Sequence, residues 1–161
     1  MIKEVENKDF NDIYVLGSLL HENYKETNNL EELIKSDIYK IYVYKDENEV
    51  KGFLSFVVFD DVIDIYDIVV NPKCRREGIA TSLFTKLFEN YPHQNVLVDV
   101  NVKNIEALFL YEKLGFKNIH TRKKYYGEND AYIMERSGID DIHSSNWIFL
   151  WWNFNGYYWR W

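Results

Sequence analysis

Residues 63–80, IDIYDIVVNPKCRREGIA, demand a strand that runs through a turn and a glycine loop into a helix. Ile63, Ile65, Ile68, Val69 and Val70 form a β-branched run suited to a central strand with both faces covered. Asn71 and Pro72 end it, because proline has no N–H for a sheet ladder and restricts the residue before it. Leu83, Phe84, Leu87 and Phe88 then recur at helical spacing, so the chain from 79 to 91 is predicted to be a helix with Gly78 at its mouth. The N–H groups of a first helical turn have no partners within the helix, and the helix dipole behind them favours an anion such as a pyrophosphate. A purely structural turn with a glycine fits the same residues. Neither GxGxxG nor Gly-Lys-Ser/Thr is present, so the loop is neither a dinucleotide fingerprint nor a Walker loop.

Around this unit the rest of the chain alternates strands and helices. A short strand is expected at 2–5, then a helix capped by Asp9 with Ile13, Leu16, Leu19 and Leu20 on one face, then a short helix at 30–34. Strands at 39–44 and 50–59, joined by a polar turn, lead through Asp60 and Asp61 into the central strand as an antiparallel meander. A strand at 96–100 must lie parallel to 63–70, because a helix connects them in a right-handed crossover. A helix at 104–114 stops at Gly115. Strands at 116–122 and 130–134 then close the sheet around a loop at 125–129.

The 161 residues, 47% hydrophobic, suit one domain with a sizeable core. A net charge of −7 argues against general nucleic-acid binding. It suits a basic amine or basic peptide as partner, although surplus carboxylates also serve solubility. One cysteine excludes an internal disulfide framework and fits a cytoplasmic location. The start, MIKEVENKDF, is too charged for a signal peptide. His21, His93, His120 and His143 show no ligand spacing with cysteine or carboxylates, so no metal is expected.

Arg75-x-x-Gly78-x-Ala80 resembles the phosphate loop of the GNAT family of N-acetyltransferases. Asn104-x-x-Ala107-x-x-x-Tyr111-Glu112-x-Leu114-Gly115-Phe116 is similar to that family's second signature, at the right distance. Arg122-Lys123-Lys124-Tyr125-Tyr126, with Asp130, Ala131 and Met134, resembles the ending of its ribosomal-protein-alanine N-acetyltransferase branch. Three motifs in register make a chance match improbable. The resemblance implies an α/β acyl-CoA N-acyltransferase fold: a mixed, mostly antiparallel sheet whose central parallel strand pair splays apart, flanked by helices.

It also implies a site. The main chain of Ile68, Val69 and Val70 would hold the pantetheine arm of acetyl-CoA as an extra strand. Arg75, Arg76, Glu77, Gly78, Ile79 and Ala80 would cradle the pyrophosphate. Asn104 would meet the arm, while its residue type equally suits the N-cap of its helix. Tyr111 matches the family tyrosine that protonates the departing thiolate, and an N–H near Val70 would polarise the carbonyl. Asp99 stands where the branch carries glutamate and is a candidate base. Asp67 and Asp64 on the adjoining strand are alternatives, since an acidic residue in a β-branched strand needs a partner or a task. Their opposite parity lets only one face the site unless a bulge intervenes, and Asp67 is preferred. His21, Tyr24 and Glu26 fall where the family's acceptor site lies, and also read as solvated helix ends and loop. Cys74 has no assignable His or Asn/Asp companion and is not expected to act as a nucleophile.

The expected reaction is direct acetyl transfer from acetyl-CoA to a primary amine, with the N-terminal alanine α-amine of a ribosomal protein leading. The alternatives are another amine, such as a lysine side chain, a polyamine or a drug, and a regulatory module that binds CoA without turnover. Asn129 before Asp130, like Asp99, departs from the branch pattern. The domain is expected to span 1–136. All five tryptophans fall in the aromatic segment 137–161, where Asn155-Gly156 signals a hairpin that would set Trp152 opposite Trp159. That segment is too short for a membrane span, and its apolar surface calls for a cover, a second subunit being one candidate.

Overall fold

Strands rich in Ile, Val, Phe and Tyr build one seven-stranded sheet, and helices cover both of its faces. In the computed structural model, which describes residues 1–139, the strands are β1 (Ile2–Glu4), β2 (Tyr39–Asp46), β3 (Glu49–Phe59), β4 (Val62–Val70), β5 (Asn95–Asn101), β6 (Lys117–Tyr126) and β7 (Asn129–Arg136). The helices are α1 (Phe10–Gly17), α2 (Tyr24–Thr27), α3 (Leu30–Leu33), α4 (Ile79–Asn90) and α5 (Ile105–Lys113). The sheet order is β1-β2-β3-β4-β5-β7-β6. Every neighbouring pair is antiparallel except β4 and β5, the expected parallel pair.

Alternation along the strands divides the core in two. On one face Leu54, Phe56, Ile63, Ile65, Val96, Val98 and Val100 pack with Ile79, Leu83, Phe84 and Leu87 of α4 and Tyr111 of α5. On the other, Ile41, Val43, Phe53, Val57 and Val69 pack with Phe10, Ile13 and Leu16 of α1, and with Tyr24 and Leu30.

Two irregularities open the middle of this sheet. β4 pairs with β5 only from Val62 opposite Asn95 to Ile65 opposite Val98, and beyond that point the strands run on unpaired. At the same level the β3–β4 register shifts: Phe56 lies opposite Ile65 but Ser55 opposite Asp67. Tyr66 is the extra residue of a β-bulge, and such bulges bend a strand and end its pairing. The bulge also cancels the parity difference between Asp64 and Asp67. They lie opposite Val57 and Ser55, which share a face of β3, so the bulge that the parity rule allowed for is present and the two carboxylates share a face.

Three local expectations need correction. α1 ends at Gly17, leaving Leu19 and Leu20 exposed outside it. Past Gly17 the chain tightens, the Leu19 and Leu20 N–H groups bonding the Leu16 and Gly17 carbonyls three residues back at 3.1 and 2.9 Å. Asp9 does not cap α1 through its side chain; its carboxylate accepts the Glu6 N–H at 3.0 Å and forms a buried ion pair with Lys45. The final hairpin turns at Gly127 and Glu128 alone, because Tyr125 and Tyr126 extend β6. The expected aromatic hairpin near Asn155-Gly156 lies outside the described residues. Among the described residues no helix is long and apolar enough to cross a membrane, and no cluster of His, Cys, Asp or Glu could hold a metal ion.

Candidate active site

The chain leaves β4 through an Asn-Pro turn whose Asn71 side chain accepts the Lys73 N–H at 3.0 Å. Arg75 is extended, Arg76 takes a left-handed conformation at φ +66°, and Gly78 another at φ +77°. A Cβ on Gly78 would meet nothing within 4 Å, so its backbone conformation, not crowding, selects glycine there. Gly78 is the N-cap of α4, and the first bond of that helix runs from the Ser82 N–H to the Gly78 carbonyl at 2.9 Å. The N–H groups of Ile79, Ala80 and Thr81 therefore precede the intrahelical ladder and point out of the helix mouth. With Arg75, Arg76 and Glu77 exposed around them, these groups fit the pyrophosphate of a nucleotide-bearing donor.

The split between β4 and β5 adjoins this mouth. Ile68 and Val70 lie in β4 beyond its last pairing with β5 and rest against the α4 side of the core, while Val69 packs on the opposite face. An extended ligand arm can lie along this unpaired edge. Asn104 caps α5, accepting the Ala107 N–H at 3.2 Å. The capping role is thus realised, and the exposed Asn104 stands at the end of the helix that carries Tyr111.

Tyr111 is 4% exposed, edge-on to Phe84 with centroids 5.9 Å apart and 5.5 Å from Phe116. Burial pushes its hydroxyl pKa above the ordinary tyrosine value, and the fields of Tyr126 and the Asp67 carboxylate add to that. Tyr111 and Asp67 approach the split from opposite faces of the sheet.

The three acidic candidates separate. Asp64 is 7% exposed and sits in the closed part of the sheet, opposite Val57 and Leu97. Asp67 and Asp99 both lie beyond the last β4–β5 pair, on the face away from α4. Asp99 accepts from Arg122 Nη1 at 3.1 Å, and the Arg122 guanidinium lies 5.2 Å above the Tyr125 ring. Asp67 Oδ2 accepts from the Tyr24 hydroxyl at 2.9 Å and from Ser55 Oγ at 3.1 Å, while the Asp67 N–H donates to Ser55 Oγ at 3.0 Å.

Of the three residues expected near an acceptor, Tyr24 is the one buried beside Asp67. It is 1% exposed, not a solvated helix end, and burial followed by the Asp67 charge holds its phenol well above the usual range. His21 stacks near it at 5.4 Å and is half-buried, whereas Glu26 is exposed. Ser55 was open to inference: a hydroxyl in the apolar run FLSFVV, fully buried here, requires a partner. Cys74 is half-buried in the turn before the helix mouth.

The sequence profile of the acetyltransferase (GNAT) family matches residues 4–116. An N-alpha-acetyltransferase of Saccharolobus solfataricus is 38% identical over 77 residues, covering 45% of this chain and 46% of that relative. A [Ribosomal protein bS18]-alanine N-acetyltransferase of Escherichia coli is 33% identical over 85 residues, covering 48% of this chain and 57% of its own. The chain thus spans about half the length of the curated relatives it matches. Among solved structures, that of Ard1 from Thermoplasma volcanium superposes with a TM-score of 0.76 at 23% identity, covering 87% of this chain and 98% of that one.

Proposed function

The chain belongs to the acetyltransferase (GNAT) family, and on that premise we propose that it transfers acetyl from acetyl-CoA to the N-terminal α-amine of a protein. The observation that carries the proposal is the split itself. It is flanked by a helix mouth suited to phosphates, by a buried phenol on one face and by two carboxylates on the other. The names of the similar proteins, an N-alpha-acetyltransferase and an alanine N-acetyltransferase, favour a protein N-terminus among primary amines. An alanine-initiated ribosomal protein is the first acceptor to try.

Acetyl-CoA, as cosubstrate, supplies a reactive thioester. Residues 75–80 bind its pyrophosphate, the backbone of Ile68, Val69 and Val70 holds its arm, and Asn104 borders that arm. An amine attacks only when uncharged, so Asp67 or Asp99 takes a proton from the arriving ammonium. Tyr111 gives a proton to the departing sulfur. An N–H near Val70 polarises the carbonyl. The transferase domain is assigned to residues 1–136 and its work to the cytoplasm, where acetyl-CoA and new protein N-termini meet.

Thioester consumption with acetyl-CoA tests this. A basic peptide beginning with alanine is offered beside lysine peptides with blocked N-termini and a set of polyamines. Preference for the alanine peptide supports the proposal. Turnover only on the other amines removes the N-terminal acceptor, and CoA binding without turnover on any amine removes the transferase.

A further inference from the structure

Two carboxylates stand beside the split, and their partners differ in kind. Asp99, with its side chain 9% exposed, is paired with the Arg122 guanidinium, so the two formal charges cancel. Among the described residues Asp67 is held by neutral hydroxyls and has no cationic partner. Both of those hydroxyls, from Tyr24 and Ser55, converge on Oδ2. Oδ1 is left without a hydrogen-bond donor among the described residues. A carboxylate oxygen with open lone pairs on a half-buried side chain is a receptor for a cation with N–H donors.

The supports of Asp67 are rigid. Ser55 is fully buried in β3 and is clasped by the Asp67 backbone N–H as well as bonding its side chain. Tyr24 is wedged between Gly17 and Phe53 and reaches β4 from the α1–α2 segment, 43 residues away in sequence. The raised pKa of its phenol keeps it a donor at neutral pH.

We infer that Asp67, not Asp99, receives the acceptor's ammonium group on Oδ1, with Tyr24 and Ser55 as positioning residues that aim it. The ammonium gives one proton to Oδ1, leaving a neutral amine and a protonated Asp67, which then releases the proton to water. Arg122 and Asp99 instead tie β6 to β5 across β7. This assignment rests on the transferase reading and specifies its acceptor side.

The test separates the two. The full chain, saturated with CoA, is titrated with the alanine-initiated peptide and with the same peptide carrying propionyl in place of alanine, which lacks only the amino group. Thioester turnover is followed in parallel. Wild type should prefer the amino peptide by tenfold or more, a ratio expected of about one charge-assisted hydrogen bond. Asp67→Asn should bind both peptides equally, and Asp99→Asn should keep the preference. Tyr24→Phe should lower the preference and kcat/KM by about tenfold while leaving the affinities for CoA and the propionyl peptide unchanged, which a general loss of structure would not do. If Asp67→Asn does not fold, Tyr24→Phe and Ser55→Ala carry the test. Loss of preference in Asp99→Asn with retention in Asp67→Asn, or no preference in wild type despite turnover, overturns the assignment alone. No turnover on any amine overturns the transferase reading and this inference with it.

Discussion

Replacing Gly17 by alanine should damage both the fold and the site, through a single contact. A Cβ there would lie 2.2 Å from Tyr24 Cδ1 and 2.4 Å from Cε1, well inside the 3.0 Å that real Cβ contacts observe. The ring must therefore retreat by roughly an ångström in an interior that is packed to crystal density. Overpacking of this kind costs about 1–3 kcal/mol. Removing glycine's excess freedom in the unfolded chain offsets about 0.5–1 kcal/mol of that. The net expectation is a loss of about 1–2 kcal/mol, read as a lower urea midpoint with an unchanged slope. Because the same displacement pulls the Tyr24 hydroxyl from its 2.9 Å bond to Asp67, thioester turnover should fall more than stability does. In a Tyr24→Ala background the new methyl finds vacated space, so Gly17→Ala should there be neutral or slightly stabilising. An equal cost in both backgrounds, or a fully active and stable single variant, would refute the reasoning.

Other consequences can be checked in the same preparations. Lys45→Met should destabilise by about 3–5 kcal/mol in urea, because Asp9, 2% exposed, keeps a buried charge without its partner; a change below about 1 kcal/mol would mean that water reaches the pair. Stability should fall steeply above pH 10. Burial raises the hydroxyl pKa of Tyr42 to about 12 and drives those of Tyr24 and Tyr111 higher. The native state therefore holds protons that the unfolded chain gives up, so stability present below pH 10 is lost as pH rises, by about 1 kcal/mol per pH unit for each such tyrosine. A urea midpoint that stays flat from pH 9 to 11 would contradict this. Tyr111→Phe should lower kcat by about 10²–10⁴ while acetyl-CoA binding measured by calorimetry is retained; an undiminished rate would take Tyr111 out of the chemistry.

The fold was largely legible because its landmarks are chemical. Pro72 and Gly78 punctuate the strand-loop-helix unit, Gly115 stops α5 at φ +89°, and β-branched runs mark β3, β4 and β5. What escaped lies in long-range packing. The bulge at Tyr66 carries no glycine or proline to announce it, so the sequence left open whether Asp64 and Asp67 share a face. Leu19 and Leu20 continue a helical spacing beyond the last turn of α1, and the need for glycine at 17 comes from a ring that belongs to another element. Tyr24 sits in the polar run HENYKETNN, where nothing local foretells burial. Asp99 could be picked out by its motif, but its Arg122 partner depends on β7 entering between β5 and β6. A pairing made across an intervening strand leaves no spacing to read.

Acetyl transfer to a protein's α-amine at the β4–β5 split is the activity proposed for this chain. The most direct test uses one peptide that begins with alanine and carries internal lysines, incubated with the protein and acetyl-CoA and mapped by fragmentation mass spectrometry. A single acetyl group on the alanine nitrogen, absent from Tyr111→Phe and from Asp67→Asn, is the predicted result. Acetyl on the lysine side chains alone, or an unmodified peptide with the thioester intact, would contradict it.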